Sequence, residues 1–449
     1  MEIYVVQAGD TIRSIAEKYN KSVEQLIEEN GIQNPAELVV GQCIVIAYPQ
    51  VTYVVGEGDS LESISKAYNT SIIQLLRNNP YLSESEYIYP GETLIISYGD
   101  NRTRLMTNGY TNPFIDRKVL KRTLPFLTYL TIFGYELTAD AEINEPDVDD
   151  IIQMSKDYGV APIMLVSTLS YEGVGSAESA FNVIYNQEAT DRYINNILAI
   201  LKRKGLSGVG IILSYLYSEN VDAYNEFVEK VTKRINYQGY IVVVSIPPVL
   251  QVKDGSITFE KIDYSVIGKT ANQVIAMNYN WGYNPGPPSP PASVSLIEEF
   301  MNYLVTMIPP EKIMIGLPLI GYAWKLPFII GVSQAVSLSY NAIITLAVEN
   351  NVVIQFDERS QNPYFSYIQM EVNIPRKYEV WFVDARTMNA FIDQSIQFKT
   401  LGIAIWNIMI YLPQLWLIIN SQYDIITLQQ ERPASQSITE DTGKLDICN

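Results

Sequence analysis

Hydrophobic and polar positions follow the same order twice along the first hundred residues. The segment from Tyr4 to Ile12 recurs as Tyr53 to Leu61. Each copy passes from an alternating pattern, typical of a strand, to apolar residues spaced for helices, and closes on a glycine before a second apolar run. The predicted order in each repeat is strand, helix, helix, strand, with Asp10 and Asp59 as N-caps of the first helices.

From about residue 100 onward, apolar runs of strand length alternate with amphipathic helical stretches, which is typical of β–α units and a parallel sheet. Eight units over about 330 residues predict a (β/α)8 TIM barrel. The predicted barrel strands are 106–112, 127–137, 161–169, 209–215, 240–246, 274–281, 312–319 and 401–409. The chain is therefore predicted to be an α/β protein in four parts: small βααβ modules at 1–48 and 51–98, a barrel at 99–430 with a small α+β insertion at about 325–380, and a polar, disordered tail at 431–449.

Composition narrows the classes of ligand and chemistry. The formal net charge of −18 argues against nucleic acid or teichoic acid as the main ligand, whereas neutral sugars fit it. The sequence has no His, which excludes Ser-His-Asp and Cys-His triads and histidine metal ligands. No metal or cofactor is expected. No apolar run reaches the roughly 20 residues that span a bilayer, and the chain enters its first repeat at once, so no signal peptide is predicted.

The two cysteines lie too far apart in sequence for a metal-binding motif. Cys43 is predicted to be a small core residue at the end of the first repeat. Cys448 lies one residue from the C-terminus, and an exposed thiol there would allow self-association or a crosslink to another chain.

The two repeats resemble LysM modules, because each carries the Gly-Asp-Thr/Ser-aliphatic turn and an Asn near the end of the second helix. The resemblance implies binding of glycans that contain N-acetylglucosamine, such as peptidoglycan and chitin, in a groove between that turn and the loop after the second helix. The alternative role for Asp10 and Asp59 is helix capping alone. The implied groove residues are Gly9, Asp10, Thr11, Ile12, Ile32 and Gln33 in the first module, and Gly58, Asp59, Ser60, Leu61, Tyr81 and Leu82 in the second.

The segment from Leu206 to Tyr215 resembles the fourth barrel strand of family 18 glycoside hydrolases, which reads Asp-Gly-x-x-x-Asp-x-Glu. In that family the Glu protonates the glycosidic oxygen, and the Asp two residues earlier orients the acetamide of the substrate, which attacks the anomeric carbon. Gly210, Ile212 and Ser214 are expected to point into the barrel, since residues two apart on a strand share a face. The family's acidic positions are neutral at four sites: Ser207, Ile212, Ser214 and, on strand six, Asn280.

Further motifs resemble bacterial spore-type proteins that join LysM modules to a family 18 barrel, a group that includes cortical-fragment lytic N-acetylglucosaminidases. They include Asn108-Gly109-Tyr110, Met277 to Tyr283, and Trp406-Asn407-Ile408-Met409. Trp406 matches the strand-eight Trp on which the sugar stacks in the family, and Tyr279, Trp281 and Tyr322 are further candidates for the cleft wall. For each of these side chains the alternative role is core packing. Leu319 and Ala323 stand where the family often carries Asn and Asp.

The function expected from these residues is that of a catalytically inactive family 18 relative, with no catalytic residue, which binds peptidoglycan, spore cortex or chitin through its LysM modules. It would serve as a structural or lectin-like component of the spore coat, cortex or cell wall. The first alternative is an active N-acetylglucosaminidase or chitinase-like hydrolase with a rearranged acid, for which Glu136 and Glu172 are candidates, unless both are solvated loop carboxylates. The second is a self-assembling envelope protein whose barrel binds no sugar.

Overall fold

The computed structural model describes residues 1–85, 87–100, 102–168, 175–212, 214–253, 256–277 and 286–428. The expectations for Glu172, Tyr279, Asn280, Trp281, Cys448 and the 431–449 tail concern residues outside these ranges.

Each N-terminal repeat folds as two antiparallel strands with two helices between them, as predicted. Tyr4 pairs with Ile44 across the first sheet, and Tyr53 pairs with Leu94 across the second. The elements are β1 (Glu2–Val5), α1 (Ile12–Tyr19), α2 (Val23–Asn30) and β2 (Cys43–Ile46), then β3 (Val51–Val54), α3 (Leu61–Ala67), α4 (Ile72–Asn78) and β4 (Thr93–Ser97).

The N-cap predictions were displaced by one residue. Thr11 and Ser60 cap helices α1 and α3, and each forms a reciprocal capping box with the Ser three residues later. Asp10 and Asp59, which precede these caps, instead stabilise the turn between the first strand and the first helix of each module. Asp10 accepts hydrogen bonds from the Tyr4 hydroxyl and the Gln7 amide, both at 2.7 Å.

The rest of the described chain builds a parallel barrel with an insertion. The first part contains β5 (Thr103–Thr111), α5 (Arg117–Thr123), β6 (Tyr129–Leu137), β7 (Ile143–Asn144), α6 (Asp149–Asp157), β8 (Ala161–Ser167), α7 (Ala177–Tyr185), α8 (Gln187–Lys204), β9 (Gly208–Ile212), α9 (Val221–Tyr237), β10 (Ile241–Ile246), β11 (Leu250–Lys253), β12 (Ser256–Phe259), α10 (Ser265–Thr270), β13 (Gln273–Ala276), α11 (Val294–Leu304) and β14 (Ile313–Pro318). The insertion contains β15 (Gly321–Lys325), β16 (Val336–Leu338), α12 (Tyr340–Glu349), β17 (Gln355–Asp357), β18 (Asn362–Glu371) and β19 (Ile374–Trp381). The chain then adds α13 (Ala385–Gln397), β20 (Gly402–Trp406), α14 (Pro413–Gln422) and β21 (Tyr423–Ile425).

All eight predicted barrel strands are present. They pair in parallel in the order β5-β6-β8-β9-β10-β13-β14-β20, and β20 pairs with β5 to close the barrel. The predicted (β/α)8 fold is therefore confirmed. The insertion forms its own antiparallel sheet, in the order β16-β15-β19-β18-β17, with α12 packed against it.

Alternation along the barrel strands separates two hydrophobic cores. Side chains that point inward, including Tyr110, Phe133, Leu165 and Trp406, fill the barrel interior, while their neighbours along each strand pack against the surrounding helices. Parallel strands covered on both faces read as continuous apolar runs, which is why they were recognisable in the sequence. Within the described ranges, no helix combines the length and apolar character that a membrane span requires.

Candidate glycan-binding and active site

Strand β9 carries the degenerate family motif. Ile212 points inward and packs against the interior cluster, as predicted. Gly210 lies against the neighbouring strand, where an added Cβ would come within 2.8 Å of Leu165, so a larger residue there would displace that side chain. Ser207 precedes the strand, at the end of the barrel away from the mouth, and its amide donates to the carbonyl of Pro162 at 2.8 Å. None of these three positions presents a carboxylate to the mouth.

Strand β9 ends before Ser214, so the alternation that places Ile212 on the inward face does not extend to this residue. Strand β9 ends at Ile212, and Ser214 lies in a turn whose next residue, Tyr215, has a positive φ of 63°. The Ser214 carbonyl accepts a hydrogen bond from the Tyr224 hydroxyl of helix α9. Ser214 also lines a small cavity of about 30 Å³ together with residues of helices α7, α8 and α9. The backbone of Ser214 is thus held next to helix α9.

Trp406 ends strand β20 at the barrel mouth. Its ring makes edge contacts with Tyr110 at 5.5 Å and Phe133 at 6.1 Å between centroids, and 7% of the residue is exposed. Beside it lies a mainly apolar cavity of about 180 Å³, which Leu319 also lines. Tyr322 is only 1% exposed and belongs to the core, which is the alternative role considered for it.

Polar groups remain inside the barrel below Trp406. The Tyr110 hydroxyl and the Ser245 hydroxyl lie 3.3 Å apart, and Thr131 donates to Asn108 Oδ1 at 2.8 Å. Burial raises the pKa of Tyr110 above its ordinary value, so this phenol stays protonated at neutral pH. The arrangement supplies hydroxyl and amide groups beneath the mouth.

Glu136 is a carboxylate at the mouth end of strand β6. Its neighbours Tyr135 and Leu137 pack into the helix-facing core, so the alternation of the strand places Glu136 on the barrel side. It pairs in register with Ser167 on strand β8. The Glu136 side chain is half-buried, and none of the hydrogen bonds or ion pairs of the described residues engages it.

The turns of the LysM modules are built alike. Asp59 accepts from the Tyr53 hydroxyl and the Gly56 amide, both at 2.7 Å, as Asp10 does in the first module. Hydrogen bonds from Tyr4 and Tyr53 hold the pKa values of Asp10 and Asp59 below the ordinary range, so both turns carry a negative charge above acidic pH.

The predicted groove residues differ in their access to solvent. Gly9, Thr11, Gln33, Gly58 and Ser60 are exposed, whereas Leu61 and Tyr81 are half-buried. Ile12, Ile32 and Leu82 lie in the cores of their modules. The primary role of these three apolar residues is therefore to pack the cores of the modules, and covering a ligand is secondary.

Docking of the modules onto the barrel was not predicted. Gln414 and Asn420, both on helix α14, are nearly fully buried. Gln414 contacts the first module, and Asn420 donates to Asn78 Oδ1 of the second at 2.8 Å. Arg77 of the second module donates to the barrel carbonyls of Pro125 and Ile425. The sequence signal was present, since Gln414 and Asn420 flank the apolar run Leu415 to Ile419 and are buried with it.

Cys43 belongs to the same interface. It is fully buried, as predicted, and its thiol donates to Asp384 Oδ2 at 3.2 Å. Burial raises the pKa of the Cys43 thiol, so the sulfur is held as an unreactive thiol in the core.

Family comparisons agree with both parts of the fold. The LysM domain profile matches residues 4–47 and 53–97, and the profile of the Glycosyl hydrolases family 18 matches residues 168–409. The second match spans more than half of the chain. The chain therefore belongs to glycosyl hydrolase family 18 and carries two LysM domains.

Similar proteins cover nearly the whole chain. The "Cortical fragment-lytic enzyme" of Bacillus subtilis (strain 168) is 31% identical over 433 residues, which are 95% of this chain and 99% of the relative. The protein of the same name from Bacillus cereus is 32% identical over 432 residues, with 95% and 99% coverage. The crystal structure of the Bacillus megaterium QM B1551 spore cortex-lytic enzyme SleL superposes with a TM-score of 0.76 at 28% identity, covering 95% of this chain and 98% of that one.

These comparisons correct the expected function. The interpretation of the chain as a catalytically inactive binding protein was wrong, because relatives that match both the modules and the barrel are named as lytic enzymes. The alternative of an active hydrolase agrees better with them. A relation to the spore cortex, expected from the motifs, is supported by the same names.

Proposed function

We propose that the chain is a glycoside hydrolase of spore-cortex peptidoglycan that is held on its substrate by the two LysM modules. The observation that carries the proposal is the 31% identity to a cortical fragment-lytic enzyme over 433 residues, with both domain types included. Peptidoglycan is favoured over chitin as the substrate because the full-length relatives are named for the cortex. The same relatives favour a location in the spore envelope.

The proposed active site lies at the barrel mouth beside Trp406. The indole face presents an aromatic surface on which a sugar ring stacks, and the cavity of about 180 Å³ next to it gives room for the ring. The acetamide of the substrate acts as the nucleophile in this family, so the protein has to supply the acid but no covalent nucleophile.

Glu136 is the proposed general acid. The family position on strand four is Ser214, and a serine hydroxyl is too weak an acid to protonate a glycosidic oxygen, so the proton has to come from another residue. Glu136 lies on the inward face of strand β6, half-buried and without a hydrogen-bond partner among the described residues. Its carboxyl would protonate the glycosidic oxygen as the bond to the anomeric carbon breaks and the acetamide oxygen attacks that carbon; water then opens the cyclic intermediate and returns the proton.

The experiment that tests the function identifies the cleaved bond. Purified spore-cortex fragments are incubated with the full-length protein, and the products are separated and weighed by mass spectrometry. The proposal predicts shorter fragments with N-acetylglucosamine at the new reducing end. Unchanged fragments after prolonged incubation would contradict it.

A paired comparison of Glu136→Gln and Glu172→Gln locates the acid. Glu172 follows predicted strand three in sequence and is the other carboxylate considered for this role. Loss of cleavage in Glu136→Gln alone supports the assignment. Loss in Glu172→Gln alone would contradict the assignment of Glu136 while leaving the hydrolase proposal intact.

A further inference from the structure

Three neighbouring cavities lie in a row between Trp406 and the LysM modules. The cavity beside Trp406 shares Tyr340 and Asn341, at the start of helix α12, with a second cavity of about 240 Å³. The second shares Ile32, Gln33 and Asn341 with a third of about 450 Å³. Because consecutive cavities share lining residues, they lie next to one another along the surface, and the row of three is called here the linking groove.

The linking groove is built from three separate parts of the chain. Gln33 comes from the first module and Tyr81 from the second, both at positions that the LysM resemblance assigns to their grooves. Asn341 comes from the barrel insertion, and Tyr411 from the loop before helix α14. The hydrogen bonds of Gln414 and Asn420 fix the modules against the barrel, so the groove exists before any ligand arrives.

The chemistry of this groove suits a sugar chain. The Gln33 side chain is exposed and that of Asn341 half-buried, and neither amide is engaged by another described residue. Each amide therefore offers both donors and acceptors to hydroxyl and acetamide groups. The half-buried Tyr81 ring adds apolar surface for a pyranose face, and the Tyr411 side chain lines the same cavity.

The negative charge of the side chains that line the linking groove disfavours an anionic ligand. The second cavity is lined by the carboxylates of Glu37 and Glu349 and by no cationic side chain. In the third, Glu28 and Glu84 outnumber the single cation, Arg122, whose guanidinium stacks 4.3 Å from the Tyr411 ring. Neutral N-acetylhexosamine units avoid the repulsion that a polyanion would meet here.

We infer that the linking groove binds the stretch of one glycan strand that runs between the LysM modules and the Trp406 site, through Gln33, Tyr81, Asn341 and Tyr411. The inference rests on the proposed function, and it adds a binding site that neither domain possesses alone. The modules and the barrel then hold a single uncharged N-acetylhexosamine chain in one register. Long chains gain contacts in the groove that short ones cannot make.

The test measures affinity against chain length by calorimetry, with N-acetylglucosamine disaccharide and hexasaccharide as ligands for the full-length protein. The variants Asn34→Trp and Thr345→Trp narrow the second cavity from its two sides, at exposed positions that belong neither to the Trp406 cavity nor to the predicted LysM grooves. Asn302→Trp, on an exposed position of helix α11 away from the groove, is the matched control. Thermal melting verifies that each variant is folded. Mass spectrometry of the recovered ligand shows whether it was hydrolysed during the titration. A loss of hydrolysis is therefore distinguished from a loss of binding.

The inference predicts tighter binding of the hexasaccharide than of the disaccharide. Each groove variant should weaken hexasaccharide binding by about tenfold, because the indole obstructs the second cavity, and should leave disaccharide binding unchanged. Hexasaccharide affinity in both groove variants equal to that of the Asn302→Trp control would overturn the inference, whether or not the protein hydrolyses cortex fragments.

Discussion

Gln414 Nε2, on the last barrel helix, donates to Asn30 Oδ1 of the first LysM module at 3.1 Å. The same nitrogen donates to the Cys43 carbonyl at 2.8 Å. Asn30 in turn accepts from the Val45 amide at 2.6 Å, so the amide network runs from the barrel into the sheet of the module. A glycan-binding module is thus fixed to the barrel by buried hydrogen bonds.

The Gln414→Ala variant should lower the free energy of unfolding by about 1–3 kcal/mol, because buried acceptors on Asn30 and Cys43 lose their donor. Urea unfolding followed by circular dichroism measures the change. Ser421→Ala on the same helix, whose hydroxyl bonds only within helix α14, is the control and should stay close to wild type. Equal stability of the two variants would contradict a stabilising role for the interface.

Glu29 should make stability depend on pH. Its Oε1 accepts from Gln25 at 2.7 Å, while Oε2 is buried without a partner among the described residues, and burial raises the pKa of this carboxyl above 4.5. A group with a raised folded-state pKa contributes stability that is complete below its ordinary pKa and is lost as pH rises through the folded value.

The Glu29→Gln variant should therefore gain stability relative to wild type as pH rises from about 4 to 7. Denaturant unfolding at several pH values measures the difference. Glu24→Gln removes the same charge from an exposed position of helix α2 and is the matched control. A flat profile for Glu29→Gln would show that this carboxyl is not desolvated.

Asp10 and Asp59 should support glycan binding by fixing the turns of the LysM grooves. In the double variant Asp10→Ala/Asp59→Ala, the Tyr4 and Tyr53 hydroxyls lose their acceptors. Retention on cortex peptidoglycan should fall by roughly threefold to tenfold, measured by co-sedimentation.

Acid should have a similar effect on the wild-type modules. The folded-state pKa values of Asp10 and Asp59 lie below 3.8, so their stabilising contribution is complete above that pH and disappears as pH falls through the lowered values. NMR titration of the two carboxyls measures this directly. Ordinary pKa values for both would contradict the hydrogen-bonded turns.

Trp406 should contribute to turnover through its indole surface. Trp406→Phe keeps an aromatic ring against Tyr110 but shrinks the wall of the cavity. We expect kcat/KM on cortex fragments to fall by about tenfold. Trp416→Phe, the same change in a core residue stacked 5.0 Å from Phe126, should reduce stability and spare activity. Equal activity in both variants would assign Trp406 to packing.

The barrel and the repeats were predictable because their signals are local. Buried parallel strands give apolar runs, and the two modules repeat the same turn, so pattern alone located every barrel strand. The end of strand β9 was not predictable. Strand-like residues continue to Tyr215, but the chain turns after Ile212, where Asn220 donates to the Tyr215 carbonyl at 2.9 Å. That hydrogen bond joins residues only five apart, but the pattern of apolar residues gives no sign of it.

The candidate site was only partly predictable from the sequence, because part of it depends on contacts between domains. Trp406 was found by its motif, and the structure places it beside a cavity at the mouth. Asn341 and Tyr411 carry no sequence signal, because the groove that they line exists only after the modules dock on helix α14. Interfaces between domains depend on pairs of residues that a single sequence does not connect.

The most direct test of the account is the initial rate of reducing-end release from spore-cortex fragments, measured for the full-length protein, Glu136→Gln and Ser214→Ala. We predict release by the wild-type chain, a loss of about 10²–10⁴-fold in Glu136→Gln, and little change in Ser214→Ala, because a serine hydroxyl does not act as the general acid. Absence of release by the wild-type chain, or an unchanged rate in Glu136→Gln, would contradict the account.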